Sequence, residues 1–283
     1  MSEPVAADAA SAFRRLCRSS PWRWESLRFA VTWQGPERTS GSPASAAPDG
    51  SGGPARPGPE GAAGSPGDGR AGFPLERVMA WLRRPDALRV ERPDGRLLYS
   101  TTGINNSRDA FYVAGTRASW LLPPRLVQPV YDDAGLVRRR PEARYGDPAF
   151  GDGLWAAMLD PVELAGNAPA PTELPFSNVV EIHELRGGTE DGRAVWEAVV
   201  SPNASYHAAV PDQPLLGAGR SLVRIDAQTS VCTHVRRLEG QDAGAGRTIT
   251  LLGVDEYMLD DLFVEHESVL TDVRDHIPWI VGG

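Results

Sequence analysis

The 283-residue sequence contains no lysine, and all 29 of its basic residues are arginine. Schiff-base chemistry and Walker-type phosphate binding both need a lysine amine, so neither is expected here. Two cysteines, Cys17 and Cys232, are too few for a disulfide framework, and we expect both to be buried, inert thiols. No apolar run approaches the ~18–20 residues of a membrane span, so no transmembrane segment is expected.

The charge balance is acidic, with a formal net charge of −8, and this argues against a protein that binds nucleic acid by neutralising phosphates. Most of the excess lies near the C-terminus, where nine acidic residues and two arginines follow Gly240. The first residues, MSEPVAADAA, lack the basic start and apolar core of a secretory signal. We therefore expect a cytoplasmic protein whose thiols stay reduced.

Catalytic and metal-binding motifs are absent or incomplete. There is no G-x-S-x-G nucleophile motif, and His183-Glu184 begins an H-E-x-x-H pattern that ends in Gly187 instead of histidine. His183, His207 and His234 have no metal-ligand spacing. We expect a protein that is not an enzyme, with no catalytic residue, no metal site and no cofactor.

Residues 35–72 consist almost entirely of Gly, Pro, Ala, Ser and charged residues. Such a segment cannot bury enough apolar surface to offset its ordering entropy, so the composition predicts disorder. It contains a formal G-x-G-x-x-G at Gly67, Gly69 and Gly72, but a dinucleotide site needs a strand before this motif and a helix after it. We interpret 35–72 as an insert between two neighbouring strands of a single domain spanning 1–283.

The remaining sequence predicts a few helices and many strands. A helix with an apolar stripe ends before Pro21, and residues 24–34 alternate so that Leu27, Phe29, Val31 and Trp33 share one face. A central helix begins near Leu154, and a second helical turn follows from a capping box at Asp160–Glu163. Residues 125–150, with Arg138, Arg139 and Arg140, are predicted as a solvated loop, with an anion-binding patch as the alternative.

About ten strands, mostly joined by short turns, account for the rest. They lie at 24–34, 75–84, 87–92, 96–101, 110–114, 118–122, 179–185, 194–200, 221–226, 231–238 and 247–253. This pattern predicts the α+β class, with an antiparallel sheet and helices segregated from it. An acidic amphipathic helix or tail is predicted at 264–283.

Four short segments resemble the LolA-like lipoprotein-carrier superfamily. They are Trp81–Glu91 followed by Asp94-Gly95-Arg96, then Gly192–Glu197, Arg224–Val231, and Thr248–Phe263 with its Leu262-Phe263 ending. The resemblance implies a half-barrel, which is a strongly curved antiparallel sheet covered by helices that holds acyl chains. The chain differs from that family in lacking a signal peptide and in having the insert at 35–72.

Six of the eight tryptophans fall in predicted strands or the central helix, and core packing explains most of them. Aromatic side chains on a concave sheet face would also line an apolar cavity. Our leading hypothesis is therefore a non-catalytic binding protein for a lipophilic, acyl-chain ligand, contacted by Trp33, Trp81, Trp120 and Trp155. The alternative is a regulatory protein–protein module that docks on a basic protein partner through its acidic C-terminus.

Overall fold

The computed structural model describes residues 6–36, 77–85, 87–102, 124–142, 154–169, 178–209 and 214–264. The helices in these ranges are α1 (Ala7–Ser19), α2 (Leu154–Leu159) and 3-10 helices at Ser20–Trp22, Pro124–Leu126, Val162–Leu164 and Asp260–Phe263. The strands are β1 (Ser26–Gln34), β2 (Arg77–Arg83), β3 (Ala87–Glu91), β4 (Leu97–Thr101), β5 (Val130–Tyr131), β6 (Val137–Arg139), β7 (Val180–Glu190), β8 (Arg193–Pro202), β9 (Ser221–Asp226), β10 (Cys232–Arg237) and β11 (Gly246–Val254).

Nine of these strands form one antiparallel sheet in the order β4-β3-β2-β1-β11-β10-β9-β8-β7, and β5 pairs with β6 separately. The predicted α+β class with a large antiparallel sheet is confirmed. The sheet is open, with β4 and β7 at its two edges. Every neighbouring pair consists of strands that are consecutive in chain order except β1 and β11, which meet at the centre of the sheet.

One face of the sheet, called the core face here, carries the main hydrophobic core. Leu27, Phe29 and Val31 of β1 lie opposite Leu82, Ala80 and Val78 of β2, and all six are fully buried or nearly so. Buried side chains of α1 (Phe13, Leu16, Cys17) and α2 (Trp155, Met158, Leu159) belong to the same cluster. Because full burial of one such side chain stabilises a fold by roughly 1.5–3 kcal/mol, this contact fixes the helices against the strands. The opposite face of the sheet is called the outer face.

The insert predicted at 35–72 does connect neighbouring strands, because Thr32 of β1 pairs with Arg77 of β2. Its disorder is untested, since 37–72 lie outside the described residues. The same holds for the strands predicted at 110–114 and 118–122 and for the C-terminal helix or tail beyond Val264. Within the described ranges, no helix combines the length and apolar character that a membrane crossing requires.

The hairpin between β7 and β8 turns more tightly than predicted. The predicted strands at 179–185 and 194–200 left a longer connection between them, but the turn is only Asp191 and Gly192, whose φ angles are 49° and 77°. Two consecutive residues with positive φ are typical of a type I′ turn, which matches the twist of the flanking strands. Both strands are therefore longer than the alternation of apolar residues indicated.

The predicted loop at 125–150 was partly wrong, because it contains the β5–β6 hairpin and a buried arginine. Arg138 and Arg139 are exposed, whereas Arg140 donates from Nη1 to Asp160 (2.8 Å) and from Nε to the Arg18 carbonyl (2.8 Å). The capping-box interpretation of Asp160–Glu163 was also wrong, because neither carboxylate caps the 3-10 helix at Val162–Leu164. Asp160 instead pairs with Arg140.

Candidate functional site

The structure separates the predicted ligand-contacting tryptophans. Trp155 is 1% exposed, and its ring centroid lies 5.4 Å from that of Phe29. Trp33 packs half-buried against the same core. Trp120 lies outside the described residues. Ligand binding by these three residues stays a prediction, but the burial of Trp155 is that of a packed core side chain.

Trp81 lies on the outer face, where its cross-strand neighbours are Arg28 and Arg89. It packs against a second, smaller cluster formed by Ala87, Met258 and Phe263. Trp81 therefore lies on the opposite side of the sheet from Trp33 and Trp155. Any contact of Trp81 with ligand would have to occur on the side of the sheet opposite to Trp33.

The partners of Trp81 belong to a segment that crosses the outer face, Asp255–Val264, called the strap here. Three outer-face side chains donate hydrogen bonds to its carbonyls: Arg83 to Met258 (2.7 Å), Arg89 to Leu262 (2.9 Å) and Ser100 to Phe263 (2.6 Å). The Arg83 guanidinium also stands 5.1 Å from the centroid of the Phe263 ring. The strap thus runs from the end of β11 over β2 and β3 to β4.

A cleft of about 840 Å³ opens where β1 begins and β2 and β11 end. It is called the end cleft, and it is lined by Pro21–Ser26, Arg83–Pro85, Asp255–Met258 and residues 124, 125, 127–129 and 131. These segments are far apart in sequence and meet because the antiparallel register brings the three strand ends together. The lining combines aromatic, proline and arginine side chains.

The indole groups of Trp22 and Trp24 form contacts that connect the walls of the end cleft. The Nε1 of Trp22 donates to the carbonyls of Pro124 (2.9 Å) and Val127 (3.0 Å), which ties the start of the domain to the 124–131 segment. The Arg84 guanidinium carbon lies 3.2 Å from the centroid of the Trp24 ring, and Nη1 donates to the Trp24 carbonyl at 2.6 Å. Cation–π contact and hydrogen bonding together fix this arginine against the wall.

Two of the three acidic side chains of the lining form hydrogen bonds with other parts of the chain. Asp255, whose φ is 55°, accepts hydrogen bonds at Oδ1 from the backbone N–H of Glu25 (2.6 Å) and of Ser26 (3.2 Å). Glu256 accepts two hydrogen bonds from Arg28, each 2.9 Å long. The Arg28 hydrogen bond lowers the pKa of Glu256, so this carboxylate stays ionised at neutral pH.

The rim of the end cleft exposes apolar and aromatic side chains. Tyr257 is 90% exposed, and Tyr131, Leu126 and Val130 are also exposed on the neighbouring wall. Tyrosine, tryptophan and arginine are the residues that most often dominate binding energy at recognition sites. The clearest sequence signal for this site was the Trp22-Arg23-Trp24 run, which the strand and helix patterns did not single out.

Two of the histidines considered as metal ligands form hydrogen bonds with neighbouring strands. His183 shares a hydrogen bond with Ser201 (2.8 Å), and His234 shares one with Thr248 (3.0 Å). Among the described residues, no group of three histidine, cysteine or acidic side chains could hold a metal ion. Both cysteines are buried, as expected, and burial raises the pKa of Cys17 and raises that of Cys232 to about 12, which disfavours the thiolate form.

Comparison with known proteins adds no identification, because no protein-family model matches the chain and no curated protein matches it. The LolA-like resemblance therefore stays a prediction.

Proposed function

We propose that this protein is a non-catalytic binding protein that holds a lipophilic ligand in the end cleft. The observation that carries the proposal is the cleft itself, about 840 Å³ in volume and lined by aromatic, proline and charged side chains. Small-molecule sites are typically clefts of about 300–1,000 Å³ with mostly apolar walls and a few polar groups that orient the ligand. The proposal includes a cytoplasmic location, where the two free thiols would stay reduced.

The proposed ligand site lies at the end of the half-barrel, whereas the sequence analysis placed it in the interior. A curved sheet covered by helices remains part of the proposal, supported by the shared core of α1, α2 and the strands. An interior acyl-chain site beside Trp155 is less well supported, because Trp155, Phe29 and Met158 are each at most 1% exposed. A ligand there would have to displace packed side chains, which costs several kcal/mol.

Titration with a fluorescent fatty-acid analogue tests the proposal. Wild-type protein should bind the probe, and Tyr257→Ala should weaken binding roughly tenfold, which is about 1.4 kcal/mol. The matched control is Tyr99→Ala, since Tyr99 is 39% exposed on β4 and does not line the cleft. An absence of probe binding by the wild type, or equal effects of the two variants, would contradict the proposal.

Docking through the acidic C-terminus remains the second candidate. The position of the strap supports this candidate, because the strap lies on the outer face and exposes Leu259 and Val264. Against it, two acidic residues of the strap already form ion pairs within the molecule, Glu256 with Arg28 and Asp260 with Arg83. Removal of residues 265–283 separates the candidates, because probe binding should survive if the end cleft is the site.

A further inference from the structure

We infer that the ligand of the end cleft carries an anionic end group, and that Arg125 and Arg23 bind that group. This inference rests on the proposed function and specifies which lipophilic compounds the cleft selects. It depends on which charged side chains of the lining already pair with other residues of the protein.

Most carboxylates of the lining already have partners. Glu256 is bound by Arg28, which lies outside the lining, and Asp255 accepts two backbone N–H groups. Glu25 is the remaining acidic residue of the lining, and its side chain is exposed to solvent. Of the three acidic residues of the lining, Glu256 is the one whose charge an arginine outside the lining neutralises.

The arginines of the lining differ from the acidic residues in the partners that they bind. Arg83 pairs with Asp260, but Arg23 donates only to the carbonyls of Gln228 (2.8 Å) and Ala227 (3.1 Å). Carbonyl acceptors hold a guanidinium in place without neutralising its charge. Within the described ranges, neither Arg23 nor the exposed Arg125 forms an ion pair with a carboxylate.

The lining carries four arginines and three carboxylates, an excess of one positive charge in a protein whose net charge is −8. Arginine binds carboxylates through two parallel hydrogen bonds, and such charge-assisted contacts are about twice as strong as neutral ones. The indoles and the rim tyrosines supply an apolar wall beside these guanidinium groups. A long-chain carboxylate matches both features, with its chain on the aromatic wall and its head group at the arginines.

The test compares two fluorescent probes with the same chain and fluorophore, one ending in a carboxylate and the other in a hydroxyl group. Wild-type protein should bind the carboxylate probe roughly tenfold more tightly, since hydrogen bonds between charged groups are stronger than those of a neutral hydroxyl group. Arg125→Gln and Arg23→Gln should reduce that preference and leave the affinity for the alcohol unchanged.

The control variant is Arg138→Gln, because Arg138 is exposed on β6 and does not line the cleft. Arg125 is exposed, so Arg125→Gln should fold normally, and a thermal melt verifies this. Equal binding of the two probes by wild type would overturn the inference and leave the proposed function intact. Binding of neither probe would overturn both. A loss of preference in Arg138→Gln as large as in Arg125→Gln would also overturn the inference, because it would reflect overall charge only.

Discussion

Glu163 is a buried carboxylate that organises the loop between β8 and β9. Its Oε1 accepts a hydrogen bond from the Ala209 N–H (2.7 Å), and its Oε2 accepts one from the Leu215 N–H (2.8 Å) and another from the Tyr206 hydroxyl. Burial raises the pKa of Tyr206, and the charge of Glu163 raises it further, so the phenol remains a donor. One side chain therefore holds both ends of this loop.

Replacing Glu163 by glutamine should lower the free energy of unfolding by roughly 2–4 kcal/mol. The amide supplies one acceptor where the carboxylate supplied two, and its NH₂ group would face a backbone N–H donor. Urea denaturation followed by circular dichroism measures the change. Glu181→Gln, at an exposed position of β7, is the matched control, and equal stability of the two variants would refute this role for Glu163.

The role of Glu163 could not be read from the sequence. Spacing relative to Asp160 indicated a local cap, whereas its partners lie more than 40 positions later in the chain. Local patterns report contacts along one element, and a buried polar group takes whichever donors the fold brings to it. The same limit applies to Arg140, which looked like part of an exposed basic run.

At the level of the elements, β7–β11 carry a row of polar side chains across the outer face. Arg186, Glu197, Arg224, His234 and Thr248 are successive cross-strand partners. Glu197 accepts hydrogen bonds from both arginines, and Arg224 also pairs with Glu190. His234 lies between Arg224 and Thr248 in this row.

His234 should make stability pH-dependent below neutrality. The pKa of His234 is lowered to about 4, mainly by burial and also by the charges of Arg224 and Arg236, while Glu197 acts in the opposite direction. The unfolded chain takes up the proton near pH ~6.5 and the folded chain near pH ~4, so stability should fall as the pH drops between these values. His234→Gln should remove that part of the slope.

Unfolding free energies at several pH values between about 7 and 4 measure this effect. The exposed His207 provides the control, because His207→Gln should leave the slope as in wild type. An unchanged slope in His234→Gln would show that other groups cause the pH dependence.

The strap offers a second test at this level. Trp81→Ala and Phe263→Ala should each destabilise the protein, and the double variant should cost less than their sum, because the two residues share one cluster. A coupling energy of roughly 0.5–3 kcal/mol is expected for residues in contact. Pairing Trp81→Ala with Leu252→Ala gives the control, since Leu252 is exposed and lies outside that cluster. Additive effects of Trp81 and Phe263 would mean that the strap is not anchored there.

Strand alternation predicted most of the sheet, because it depends on side chains two positions apart. Leu27, Phe29 and Val31 face the core as expected, and the hairpins β3–β4 and β9–β10 were also predicted. The end cleft was not predicted, because four segments distant in sequence meet there. The sequence pattern around Trp81 is that of an ordinary strand. The cluster that Trp81 joins depends on the position of the strap.

At the scale of the whole molecule, the pairing of Thr32 with Arg77 makes the long insert a hairpin connection. Deleting Thr39 to Asp68 and closing the gap with a short turn should therefore change the melting temperature by only a few degrees. Loop-closure entropy depends weakly on length, so even a large reduction alters stability little. Differential scanning calorimetry of the two proteins measures this. A fall of many degrees would show that the insert packs on the domain.

The central pair β1–β11 has a consequence for how the protein is made. During synthesis β1 leaves the ribosome among the first elements, while its partner β11 comes near the end of the chain. Until then the nascent β1–β4 unit carries an unpaired edge bordered by apolar side chains, which is the kind of surface that aggregates or recruits chaperones. Nascent chains stalled before Gly246 should therefore remain bound to a chaperone, and chains extended well beyond Val254 should be released as the last strand closes the sheet.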